Sequence, residues 1–169
     1  MIRDVAHGFE NFELNVSSQA IYHFTWHELC DWFIEFSKTP LSGEENEKKE
    51  TLYVLHYLLE QSLKLLHPIM PYLTEQLWLS LPWKAFQSHP SLMLQKFPQP
   101  ESEFESKVFK NASKEVGETK AVVDSLRAFR GANRISPKKE FEVKVVPKND
   151  SAWQIFEKFQ SKFQTLAKV

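Results

Sequence analysis

Apolar residues recur at helical spacing along most of the chain. From Phe12 to Ser37 there is neither proline nor glycine. Ile21, Tyr22, Trp26, Leu29, Trp32, Phe33 and Phe36 form a stripe there that predicts one long helix. His23, Phe24, His27, Asp31 and Lys38 lie on its other side. Asn11 is placed to cap its start, and Met1 to Gly8 reads as the end of an earlier helix. Pro40 should stop it, and SGEENEKKE reads as an exposed charged linker. A second helix is expected from about Lys48 to Leu66, burying Leu52, Leu55, Leu58, Leu59, Leu65 and Leu66. Residues 67–78, HPIMPYLTEQLW, then hold two prolines three apart, which no regular helix interior tolerates. The chain must end one helix and start another here, with Pro71 in the first turn. Leu73, Leu77 and Leu81 are the expected core face of this third helix, with Trp78 also inward and Glu75 left to cap or pair locally. Pro82 should end it.

From Trp83 to Glu101 the prolines Pro90, Pro98 and Pro100 predict a long irregular loop whose own apolar residues, Trp83, Phe86, Leu92, Leu94 and Phe97, pack it down. A fourth helix is expected from about Glu103 to Asn133, with Phe104, Val108, Ala112, Val116, Thr119, Val122, Leu126 and Phe129 as its stripe and Gly131 near its C-terminal cap. EFEVKVV, residues 140–146, alternates strictly and predicts a half-buried strand. Its pairing partner is expected beyond Val169, which would make the chain part of a longer protein. Asn149, Asp150 or Ser151 can cap a last helix with the stripe Ala152, Ile155, Phe156, Phe159, Phe163 and Leu166. The expected fold is mainly α, a helical bundle over 1–134 followed by the start of a small strand-plus-helix subdomain over 135–169.

Composition agrees with a helical reading. The chain has 169 residues, of which only 4 are glycine, while 14 are Phe and 5 are Trp. Few turns can therefore rely on positive φ, and the aromatic content supplies a core. Cys30 stands alone, which excludes an internal disulfide and a cysteine metal cluster and suits a reducing compartment. No apolar run is long enough to span a bilayer, and MIRDVAHGFENF is too polar for a secretory signal, so a cytoplasmic location is expected.

Chemistry is sparse. His23 and His27 stand four apart with Asp31 next in the row, a spacing that fits either a metal or an ordinary polar helix face, and the latter reading is preferred. The glycines Gly8, Gly43, Gly117 and Gly131 are too scattered to cradle a phosphate, and there is no serine nucleophile elbow. No catalytic residues and no metal ligands are assigned. The net charge of −1 gives no global attraction to nucleic acid, so any RNA contact must come from a local basic face. Arg127, Arg130 and Arg134, three and four apart near the end of the fourth helix, supply one, with Lys120 before them and Lys138 and Lys139 after. Arginine forks suit phosphates, and aromatic rings such as Phe24, Trp26 and Trp32 suit unstacked bases.

Three segments carry a resemblance: WHELCDWFIEFSKTPL (26–41), LLHPIMPYLTEQLW (65–78) and SLRAFRGANRISPKKEFEV (125–143). In this order they resemble the anticodon-binding helical domain of class I aminoacyl-tRNA synthetases, with SLMLQKFP (91–98) similar to the loop between. The second segment also fits the isoleucyl and leucyl branches; Cys30-Asp31-Trp32 resembles the valyl branch. Phe33 stands where that branch has Tyr, and Gly131 and Ala132 stand where longer side chains are common. The resemblance implies a tRNA partner, tRNA-Val, held at its anticodon stem-loop by a monomeric protein. Arg127, Arg130, Arg134, Lys38, Phe24 and Trp26 are then the expected contacts. It also implies a parent that attaches valine to tRNA with ATP and Mg in a catalytic domain. The chain itself holds neither the His-Ile-Gly-His nor the Lys-Met-Ser-Lys-Ser signature and would need no cofactor. A non-catalytic helical protein-interaction module is the competing expectation.

Overall fold

The computed structural model describes residues 1–81, 90–136 and 139–167. Pro82, Trp83 and Phe86 of the expected helix stop and loop, and Lys138 of the connector, lie outside the described residues. The chain divides into two compact units, Met1–Pro100 and Glu101–Val169.

The first unit begins with α1 (Ile2–Glu10). Asn11 closes α1 rather than capping the next helix: its side-chain amide donates to the His7 carbonyl at 2.8 Å. Phe12 then turns the chain at φ 60°, and α2 (Leu14–His23) returns against α1. The two helices cross closely because position 8 is glycine. A Cβ there would lie 2.3 Å from Ser17 Oγ and 2.9 Å from the Glu13 carbonyl. Ser17 Oγ instead donates to the Val5 carbonyl at 2.9 Å.

The helical run continues through a π-helical stretch, Phe24–Phe33, into α3 (Ile34–Leu41). Pro40 is inside the last turn, one residue before the end. The expected stripe is only half right. Ile21, Leu29 and Trp32 are buried, whereas Tyr22 is 62% and Trp26 55% exposed. The buried positions Ser17, Ile21, Leu29 and Ser37 keep a step of four, with Thr25 and Phe33 half-buried between them. Such a step drifts around a helix of 3.6 residues per turn. Wider i→i+5 turns unwind the helix and keep these positions on one face.

α4 (Glu45–Leu66) starts earlier than its apolar pattern suggests, because most of the charged segment is its first turns. Glu45 and Glu47 lie in the first turn, where acidic side chains complement the helix dipole. Leu52 is exposed, and the core face forms only toward the C-terminal end. Leu63 and Leu65 there enter different clusters. Leu63 packs with Trp78 and Leu92, flanked by Leu59 and Leu81. Leu65 packs with Val5 and Ile21, flanked by Phe9, Leu66 and Phe97.

The break at His67–Met70 and Pro71 in the first turn of α5 (Pro71–Ser80) are as expected. The buried face of α5 is Thr74 and Trp78, with Leu81 half-buried; Leu73 and Leu77 point outward. Polar bonds set this rotation. Thr74 Oγ1 donates to the Met70 carbonyl at 2.8 Å and lies 2.7 Å from His67 Nδ1. The hydroxyl hydrogen is used on the carbonyl, so the imidazole is the donor to Thr74. Glu75 reaches across and accepts the Leu92 backbone N–H at 3.1 Å, holding a 3₁₀ turn at Leu92–Leu94 within the segment expected to be an irregular loop. Leu92 is buried, Phe97 meets Phe9 edge-on at 6.0 Å, and Leu94 is exposed.

The second unit pairs α6 (Lys107–Ala132) with α7 (Asp150–Ala167). Phe104 lies in a separate 3₁₀ turn, Ser102–Glu105, ahead of α6. Of the expected stripe Thr119 is buried as expected, whereas Val108, Val116, Val122 and Phe129 are exposed, and Val123 and Arg130 complete the buried face. Thr119 covers its own hydroxyl by donating to the Glu115 carbonyl at 2.9 Å. The stripe of α7 is as expected, with Phe163 and Leu166 buried and Phe156 stacked on Phe163 at 5.3 Å. Asn149 is its cap, accepting the Ala152 N–H at 2.8 Å.

The strand expected at 140–146 does not form, and no strand occurs among the described residues. The fold is mainly α, without the strand-plus-helix part. The alternation that suggests a strand serves helices. Phe141 lies against Phe129 at 5.9 Å, and Val145 lines an apolar groove of about 230 Å³ with Val122, Ile155, Phe156 and Phe163. Gly131 remains inside α6, and Arg134 takes the left-handed position at the helix end, φ 52°.

Candidate nucleic-acid interface

Two surfaces carry the residues singled out by sequence, one in each unit. In the first unit, the junction of α2 with the π-helical stretch presents a group of rings. Tyr22 and Trp26 are near parallel, 4° apart with centroids at 6.4 Å. His27 meets Tyr22 edge-on at 6.2 Å, and His23 lies 5.2 Å from His27. Tyr22, His23 and His27 are exposed, as is more than half of Trp26, and Phe24 beside them is half-buried. His27 Nδ1 is 3.3 Å from Asp31 Oδ2, an exposed pair of small energetic consequence. Among the described residues no three His, Cys, Asp or Glu side chains group as a metal site. Lys38 is exposed and bonded to Glu35 at 2.6 Å, which neutralises part of its field.

Exposed rings this large are costly to leave in water, and a planar base covers them without demanding a particular sequence. The sequence singles out Trp26 among these rings. It does not single out Tyr22, His23 and His27, because spacing assigns Tyr22 to the core and the histidines to an ordinary polar face. The signal lies in the paired steps of four, Tyr22 to Trp26 and His23 to His27.

In the second unit the three arginines separate. Arg130 is 8% exposed. Its guanidinium donates to the carbonyls of Ala167 at 3.1 Å and Ser136 at 2.7 Å, and also to that of Lys139. The Phe141 ring covers it, 5.1 Å from centroid to guanidinium carbon. Arg127 donates from Nε to the Leu166 carbonyl at 3.3 Å. The two arginines thus satisfy carbonyls in the last turn of α7, where the helix dipole favours positive charge. Arg134 is exposed, as is Lys139 in the connector, whose N–H donates to the Ser136 carbonyl at 3.0 Å. Only the last of the trio stands clear of the α6–α7 contact.

No helix among the described residues is long and apolar enough to cross a membrane. The family model for the anticodon-binding domain of tRNA ligase matches residues 1–146. A valine–tRNA ligase of Aquifex aeolicus is 32% identical over 178 residues, covering 98% of this chain and 15% of that protein. One from Oceanobacillus iheyensis is 32% identical over 93% of this chain and 17% of its own length. Another from Lactiplantibacillus plantarum is 36% identical over 80% of this chain and 15% of its own length. The chain therefore spans roughly a sixth of the relatives it matches. A mainly helical fold with a proline-broken helix pair, matched by that family model over most of its length, places the chain in the anticodon-binding domain family of tRNA ligases.

Proposed function

We propose that this chain holds the anticodon stem-loop of a valine tRNA, for a parent enzyme that attaches valine to that tRNA. The parent's catalytic domain would use ATP and Mg in the cytoplasm, and the protein would act as a monomer. The family match carries the reading, and the exposed Tyr22–Trp26 pair gives it a physical means. Unpaired anticodon bases stack on Trp26, Tyr22 and Phe24, while Lys38, Arg127, Arg130 and Arg134 are the cations from which phosphate contacts are drawn. Within that set Lys38, Arg127 and Arg134 are exposed and Arg130 is buried. Residues 1–134 form the binding part in this reading, and residues 135–169 form a smaller C-terminal part beside it.

A titration of the chain with valine-tRNA transcript at rising salt tests the reading. Binding that weakens with salt, and that Trp26→Ala weakens by about 1–3 kcal/mol while melting stays unchanged, supports it. Absence of salt-dependent binding sinks it. That result would favour the protein-interaction reading, for which the exposed Tyr72, Leu79 and Met93 are the supporting observation.

A further inference from the structure

Arg134 comes just after α6 with φ 52°. Two bonds define this helix ending: Ile135 N–H donates to the Arg130 carbonyl at 2.9 Å, and Arg134 N–H to the Gly131 carbonyl at 3.1 Å. That arrangement ordinarily has glycine at the left-handed position, because any Cβ there crowds the following carbonyl. The chain places a glycine three residues earlier, at Gly131, where a Cβ would meet nothing within 4 Å. At the position that needs glycine it has arginine.

The fold gains nothing visible from this choice. Arg134 is exposed, and among the described residues its side chain meets no hydrogen-bond or ion-pair partner. Its neighbours contrast with it. Arg127 and Arg130 donate to carbonyls at the end of α7, and Arg130 also holds the connector at Ser136 and Lys139. Two arginines therefore serve the fold, and the third occupies a backbone position that disfavours it. Strain kept without structural return marks a residue retained for an external ligand. The side chain itself dictates the ligand chemistry: a planar fork of donors matches two oxygens of one phosphate. The bonded helix end fixes the Cα–Cβ direction of Arg134, from which the exposed side chain extends. Exposed Lys139 in the next turn adds a second cation nearby in sequence.

We propose that Arg134 is a phosphate contact, and that it is the member of the arginine trio that binds RNA. This rests on the tRNA reading given above and assigns it within the second unit. The test pairs thermal melting of the full chain with anisotropy titrations of valine-tRNA transcript at several salt concentrations. Arg134→Gly should raise the melting temperature by a few degrees, because the left-handed position is relaxed. It should also weaken binding roughly tenfold and lower the salt slope by about one. Arg134→Gln keeps the Cβ and removes the charge, so it should show the binding loss without the gain in melting temperature. Both variants binding as tightly as the parent chain, with its salt-dependent affinity intact, would overturn this proposal and leave the tRNA reading standing. A fall in melting temperature for Arg134→Gly would overturn the strain argument. If the unaltered chain shows no salt-dependent affinity, both readings fail.

Discussion

Gly8 sits at the crossing of α1 and α2, where an added Cβ would run into Ser17 Oγ and two backbone atoms. A methyl group there meets the Glu13 carbonyl and the Ser17 nitrogen, both at 2.9 Å, and backbone cannot swing away as a side chain can. Gly8→Ala should therefore destabilise the first unit by about 1–3 kcal/mol, read as a lower urea midpoint. Ser17→Ala is the milder partner change: it leaves the buried Val5 carbonyl without this donor and should cost about 1–2 kcal/mol. Arg130 acts at the same scale in the second unit. Truncating it to Ala removes donors from the carbonyls of Ala167, Ser136 and Lys139 and uncovers the Phe141 ring. A loss of about 2–4 kcal/mol is expected, and Arg130→Lys should recover little because a single ammonium cannot span three carbonyls.

At the scale of elements, the proline-broken segment shows how a motif can be informative without touching a ligand. His67 bonds Thr74, Thr74 bonds Met70, Glu75 holds the Leu92 turn and Trp78 fills the cluster with Leu63. Replacing Glu75 by Gln keeps the shape but weakens a charge-assisted bond to the Leu92 N–H, so the 92–94 turn should loosen. Faster amide exchange at Leu92, with a stability loss of about 0.5–1.5 kcal/mol, is the expected outcome. The break itself is legible from two prolines, and the stripe of α7 from its regular spacing. The rotation of α5 is not, because Leu73 and Leu77 are the more apolar pair while Thr74 is buried through hydrogen bonds that no hydropathy pattern records. The π-helical stretch is hidden for another reason. A sequence read at 3.6 residues per turn assigns Tyr22 and Trp26 to the core, and only a wider turn moves them outward. The alternation at 140–146 misleads because period two signals one apolar face and does not say whether a sheet or a helix pair covers it. The ring group at the candidate interface is thus half visible in the sequence, and the inward turn of Arg130 is not visible at all.

For the whole molecule, net charge near zero decides how RNA binding should behave. With −1 overall, no long-range attraction draws a polyanion in, so affinity must arise from close contacts and fall off with local screening. Neutralising about three phosphates would cost roughly thirtyfold in affinity for a fourfold rise in salt, whereas ring stacking should survive it. A Trp26→Ala variant should accordingly keep the parent's salt slope while losing affinity, and an Arg134 variant should do the reverse in slope. Leu63 and Leu65 stand two residues apart at the end of α4 and belong to separate clusters, one with Trp78 and one with Val5 and Ile21. One helical turn is thus shared property of both, and neither cluster can open there without the other. Native-state hydrogen exchange should find its slowest amides in that turn, Leu63 to Leu66, and a cavity cut at Leu65 should quicken exchange in α5 as well as in α1.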